Sequence, residues 1–114
     1  MDPTARYFEE ISRHHYQVLE KVNGTVRFDI AEGERTDRWT LAVQQGDIRV
    51  SGGGHEADCI IRLDRALFDR LATGEESAIA SLLRGGLTVE GDLRLLFLMG
   101  RLLPGPQMRL KNSG

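Results

Sequence analysis

Four stretches of the chain alternate apolar and polar residues with a period of two, and this constrains the fold more than any other feature. Val26, Phe28 and Ile30 alternate with Thr25, Arg27 and Asp29, and Trp39, Leu41 and Val43 alternate with Thr40, Ala42 and Gln44. Ile48 and Val50 then alternate with Arg49 and Ser51, and Cys59, Ile61 and Leu63 with Asp58, Ile60 and Arg62. A strand turns successive side chains to opposite faces, so each stretch offers one face to a core and the other to water. Leu87 and Val89, between Thr88 and Glu90, make a shorter fifth strand. One-faced strands pair mainly antiparallel and need cover on one side only.

The cover has to come from helices. Asp2 can cap a first helix and Pro3 suits its first position, and Phe8, Ile11, His15, Val18, Leu19 and Val22 recur at helical spacing until Asn23-Gly24. Residues 31–37 read as a polar turn, Gln45-Gly46-Asp47 as a tight hairpin turn, and Gly52-Gly53-Gly54 as a loop. Asp64 caps a helix with Leu67, Phe68 and Leu71 that Gly74 closes, and 77–84 makes a second with Ile79, Leu82 and Leu83. Asp92 starts the last. The expectation is an α+β fold, a five-stranded, mostly antiparallel sheet with helices packed on one face. The 114 residues read as a single domain, 1–114, with an N-terminal helix over 1–23, a core over 24–104 and a tail over 105–114.

The last helix is unusual. Over 91–104, Arg94 and Arg101 fall close together, while Leu93, Leu95, Leu96, Leu98, Met99, Leu102 and Leu103 sweep most of the remaining circumference. Such a helix needs cover on more than one side. A chain this short has little to supply it, so the cover is a bound apolar ligand, a partner subunit or a membrane surface.

Composition excludes several classes. A formal charge of -2 without a concentrated basic face argues against a nucleic-acid partner. The single cysteine, Cys59, precludes an internal disulfide and suits a reducing, cytoplasmic setting. The N-terminus has no basic start followed by an apolar run, and no segment approaches the ~20 apolar residues that span a bilayer.

Catalytic constellations are equally thin. His14, His15 and His55, with Asp58 and Cys59, are the candidates for a metal, but adjacent helical residues point about 100° apart and no paired zinc spacing exists, so no metal is expected. His15 reads as an interfacial core residue and His14 as a surface one. Cys59 lies on the inward face of a strand, where cysteine behaves as a small hydrophobe rather than a nucleophile. Ser12, Ser51, Ser77, Ser81 and Ser113 lie in no nucleophile-elbow pattern. The glycine loop lacks the Lys and Ser or Thr of a phosphate loop and leads into a strand. Glu75-Glu76 and Asp69-Arg70 read as solvated helix faces. No enzyme activity and no cofactor are expected.

The order and spacing of Trp39-Thr40-Leu41 with Gly46, Ala57-Asp58-Cys59-Ile60-Ile61, Phe68-Asp69-Arg70-Leu71 with Gly74, and the run from Gly86 through Leu87, Thr88, Val89, Glu90 and Gly91 to Asp92 resemble the sterol carrier protein 2 domain over about 24–104. The resemblance implies a non-catalytic module that holds a small hydrophobic ligand, a sterol, fatty acid or fatty acyl chain, in a tunnel between sheet and helices. Carried onto this chain, the lipid-binding wall comprises Phe68, Leu71, Leu82, Leu83, Leu95, Leu96, Met99 and Leu103, with Phe28, Trp39 and Leu41 as floor. The final residues, Lys111-Asn112-Ser113-Gly114, lack the Ser-Lys-Leu-type peroxisomal address of some relatives. The expected function is reversible carriage of an amphiphilic lipid, with transient membrane contact as its accessory. The alternative is a structural module that uses the apolar helix for homodimerisation or docking on a partner enzyme.

Overall fold

The structure, a computed structural model, describes residues 3–102, with the backbone alone for Arg101 and Leu102. The alternating stretches become β1 (Asn23–Glu32), β2 (Arg35–Gln44), β3 (Asp47–Gly52), β4 (Cys59–Asp64) and β5 (Thr88–Gly91), in one sheet of order β3-β2-β1-β4-β5. Neighbours pair antiparallel except β1 and β4, which run parallel. Register aligns the apolar sets: Val26 stands opposite Leu41 and Cys59, and Phe28 opposite Trp39 and Ile61. A slip of one residue would turn all of them to water.

Helices α1 (Pro3–Ser12), α2 (Arg65–Thr73), α3 (Ala78–Leu83) and α4 (Leu93–Leu102) cover the apolar face, giving the α+β, mostly antiparallel architecture. Their starts are capped by side chains that accept otherwise unpaired amides. Asp64 accepts from the Leu67 amide at 2.7 Å, and Ser77 from Ala80 at 3.0 Å. The Asp2 cap expected for α1 lies outside the described residues. At the centre, Phe8 is wholly buried, its ring 5.4 Å from both Phe28 and Phe68 and stacked on Trp39 at 5.2 Å. Burial of such a ring contributes roughly 1.5–3 kcal/mol, enough to anchor α1 on the sheet.

Two segments depart from expectation. The first helix ends at Ser12, and 13–22 runs instead through a short 3-10 turn, Gln17–Leu19. Tyr16 diverts the chain. Its hydroxyl donates to the Ile11 carbonyl and its amide to the Gly46 carbonyl, both at 2.9 Å, tying the segment to the β2–β3 turn. Leu19 is still buried, but His15, expected in the interface, is exposed. Residues 31–37 are also mostly strand. Glu32 pairs with Arg35, so the turn is only Gly33-Glu34, with Gly33 at φ 62°, a left-handed conformation that glycine adopts without steric cost.

The outer face of the sheet is polar and internally neutralised. Asp29, 7% exposed at its side chain, receives Nε of Arg27 at 2.8 Å and Nη2 at 3.1 Å, with Arg38 and Arg62 at 3.6 Å. A nearly buried carboxylate persists because these guanidinium groups replace its lost hydration. Arg27 also donates to the His55 carbonyl at 3.1 Å, fastening the glycine loop to the sheet.

Candidate functional site

Five of the expected wall residues come together. Phe68 and Leu71 of α2 and Leu95, Leu96 and Met99 of α4 are each at most 5% exposed and lie in one cluster, against which Leu82 of α3 packs. Phe28 and Leu41 lie beneath it as buried sheet residues, with Trp39 at the margin. Leu83 stands elsewhere: it is 81% exposed. It falls roughly 140–160° around α3 from buried Ala78 and Ser81, so the face that meets the core excludes it. Leu103 lies outside the described residues.

α4 is positioned by its first turn. The Asp92 amide donates to the Asp58 carbonyl at 2.7 Å, and the Asp92 carboxylate accepts from the Arg94 amide at 3.0 Å and from the Arg94 guanidinium at 3.1 and 2.9 Å. These bonds hold the Asp92 carboxyl below its ordinary range and the Arg94 guanidinium above its own. From there α4 packs on β4, β5 and α3. Leu95 reaches β1 at Gly24, where a β-carbon would stand 3.2 Å from its Cδ1.

Cys59 lies wholly buried in β4, near the Leu96 amide. Burial pushes its thiol up to about 11, and the negative charges of Asp92 and Asp58 add to the effect against the Leu96 hydrogen bond. At neutral pH it is a protonated thiol and a poor nucleophile. His14 meets Glu10 at 3.2 Å, and His15 stands between Asp47 at 2.9 Å and Glu20 at 2.8 Å. Among the described residues no three His, Cys, Asp or Glu side chains gather as a metal would require.

A depression of about 170 Å³ opens beside the start of α4, between Val22 and Asn23 on one side and Asp92, Leu95 and Leu98 on the other. Larger hollows of about 350 and 480 Å³ have mostly polar rims, one formed by Ile30, Glu32, Arg35, Asp37 and Arg65 and the other by Arg27, Glu56 and Asp58. The small depression borders the cluster, because Leu95 lines both.

Two features escaped the sequence reading. Phe97, 47% exposed, continues an outward apolar edge with Leu93 at 42%, on the Arg94 side of the helix. Its apolar character is the signal the sequence carries, among neighbouring leucines of the same character. Tyr7 places its hydroxyl in the core with no hydrogen-bond partner among the described residues, its ring edge-on to Phe8 and Phe68 at 5.7 and 5.6 Å. Nothing in the spacing of α1 distinguishes a tyrosine whose hydroxyl is buried from one whose hydroxyl reaches water.

Residues 6–104 match the SCP-2 sterol transfer family, a span that includes most of α1 as well as the sheet. Peroxisomal multifunctional enzyme A of Dictyostelium discoideum is 26% identical over 94 residues, 81% of this chain and 21% of that protein. The chain therefore spans about a fifth of that relative's length. Among solved structures, sterol carrier protein 2 of Yarrowia lipolytica in its apo form aligns over 87% of this chain and 76% of its own, with TM-score 0.63 and 22% identity. Palmitated SCP2L2 from Aedes aegypti aligns over 83% and 88%, with TM-score 0.66 and 16% identity. At such identities the structural likeness establishes the fold.

Proposed function

Because the chain belongs to the SCP-2 sterol transfer family, we propose that it binds a small amphiphilic lipid between the sheet and the helices and carries it reversibly, without catalysis. The ligand is a sterol, a fatty acid or a fatty acyl chain. The observation that carries this reading is the convergence of Phe68, Leu71, Leu95, Leu96 and Met99 on one apolar layer, with Leu82 at its edge. Palmitation of the Aedes relative supports an acyl ligand. The protonated, buried Cys59 supports a non-catalytic role, and a free cysteine suits a reducing, cytoplasmic setting.

Lipid entry at the start of α4 would displace that helix. The depression at its start, about 170 Å³, falls short of the ~300 Å³ of the smaller ligand pockets. Displacing Leu95, Leu96 and Met99 from the sheet exposes apolar surface at roughly 1.5–3 kcal/mol per side chain, unless the ligand takes the place of the sheet. A lipid of about 25 to 30 heavy atoms at about -0.3 kcal/mol per atom gains about 8 kcal/mol, near micromolar affinity, which suits pick-up and release.

The test is mass spectrometry of lipid extracted from the purified protein, with displacement of a fluorescent fatty acid by sterols and acyl chains. Saturable binding near micromolar is expected. A protein that co-purifies with no lipid and takes up neither ligand overturns the reading.

A further inference from the structure

The hydroxyl oxygen of Tyr7 is shut off from water and has no hydrogen-bond partner among the described residues, while its ring stands edge-on to Phe68 at 5.6 Å. Phe68 belongs to the apolar layer in which the lipid is placed, and Tyr7 packs against the same cluster. The hydroxyl therefore borders the space assigned to the ligand. Leaving it unpaired costs stability, and phenylalanine would keep the ring contacts without that cost. Neighbouring hydroxyls are served within the fold: Tyr16 donates to the Ile11 carbonyl at 2.9 Å, Ser81 to the Ser77 carbonyl at 2.8 Å and Thr40 to the Gly53 carbonyl at 3.0 Å.

The rest of the layer says what kind of group completes the bond. Leu95, Leu96 and Met99, the inner residues of α4, have no donor to offer a polar ligand. Of the described side chains that are both buried and polar, Thr4, Asp29, Thr40 and Ser81, none is basic. An ionised carboxylate drawn in beside Tyr7 would thus lie in an apolar medium without a cation. Burial raises the Tyr7 phenol far above its ordinary value, so it stays protonated and presents a donor. A neutral acceptor, the carbonyl oxygen of an ester or the hydroxyl oxygen of a sterol or long-chain alcohol, meets that donor without burying a charge.

We propose that the Tyr7 hydroxyl donates a hydrogen bond to an uncharged oxygen of the bound lipid, so that an ester or alcohol end lies inward, between α1 and α2, and an ionised fatty acid is the poorer ligand. The inference rests on the lipid-binding reading and deepens it, by naming the chemistry and the direction of the ligand's polar end.

The test compares the native full chain with Tyr7→Phe, both freed of lipid, by displacement of a fluorescent fatty acid with methyl palmitate, hexadecanol and hexadecane. The substitution should weaken methyl palmitate and hexadecanol about tenfold relative to hexadecane, which has no oxygen to accept the bond. The infrared carbonyl band of bound, isotope-labelled methyl palmitate should lie at lower frequency in the native protein than in Tyr7→Phe, a difference that a merely structural role for the ring would not produce. An equal change for all three ligands, or one band position in both proteins, overturns the inference and leaves the carrier reading standing. So does tighter binding of ionised palmitate than of its methyl ester by the native protein, since a charged end is then accommodated. A native protein that takes up neither the fluorescent probe nor any of these ligands overturns the carrier reading, and the inference with it.

Discussion

The carbonyl oxygen of Asp58 fills the space that a β-carbon on Gly91 would need, and the same oxygen accepts the Asp92 amide at 2.7 Å. Gly91 also has φ 98°, where an L side chain is strained. One oxygen thus fastens the end of β5 and the start of α4 to the entry of β4. Gly91→Ala is expected to cost about 2–4 kcal/mol, through backbone strain and displacement of Asp58. Urea unfolding followed by circular dichroism measures it, and a cost below about 0.5 kcal/mol would contradict this account.

Cys59 reports on the seating of α4. Its thiol, pushed up to about 11 by burial, is expected to react with a disulfide reagent at pH 8 about a hundredfold more slowly than an exposed cysteine. Gly91→Ala, which unseats the helix above it, should accelerate the reaction. Labelling of the native protein at the rate of a free thiol would show that α4 does not cover β4.

His15 makes stability depend on pH. A neutral imidazole can donate to only one of the carboxylates of Asp47 and Glu20, whereas the protonated ring donates to both, so hydrogen bonds to Asp47 first and Glu20 second raise its pKa above the ordinary 6.5. A raised folded-state value means that the clasp stabilises fully below about pH 6.5 and fades as pH rises through the raised value. Melting temperature from about pH 5.5 to 8.5 should decline more for the native protein than for His15→Gln. Parallel curves for the two would show that the clasp contributes nothing.

Tyr7→Phe is expected to stabilise the protein by about 1 kcal/mol, because it removes a hydroxyl that is buried without a partner and keeps the ring against Phe8 and Phe68. Burial raises the pKa of this phenol far above its ordinary value, with the nearby Tyr16 adding to the effect. A lower midpoint in urea for the variant would mean that the hydroxyl is bonded in solution.

What could be read in advance was periodic. Period-two alternation in the strands locates the apolar face, because the core takes every second residue of β1 and β4, while Asp29 is buried on the opposite face of β1. Caps such as Asp64 and Ser77 act locally and are legible for that reason. Two errors had a shared cause in tertiary geometry. Val18, Leu19 and Val22 continue the helical spacing of α1, yet the bonds that end the helix run from Tyr16 to Ile11 and to distant Gly46. The polar run 31–37 resembles a turn, but it is a hairpin extending beyond the helical cover, where neither face of a strand needs apolar residues. At the site, the inner face of α4 was legible from the wheel, whereas Leu83 was misplaced because a six-residue helix shows too little periodicity to define its buried side.

The Asp29 cluster gives the two layers unequal stiffness. β1 is gripped on one side by Val26, Phe28 and Ile30 in the core and on the other by a carboxylate held among three guanidinium groups. Bending this strand would strain both grips at once, whereas beyond its fastened first turn α4 meets the sheet through one apolar stripe. A guest wedged between the layers therefore presses against a fixed plate, and its bulk is taken up as displacement of the helices. If the proposed lipid sits there, ligands of different girth should leave the strand geometry unchanged and be recorded in the tilt of α4.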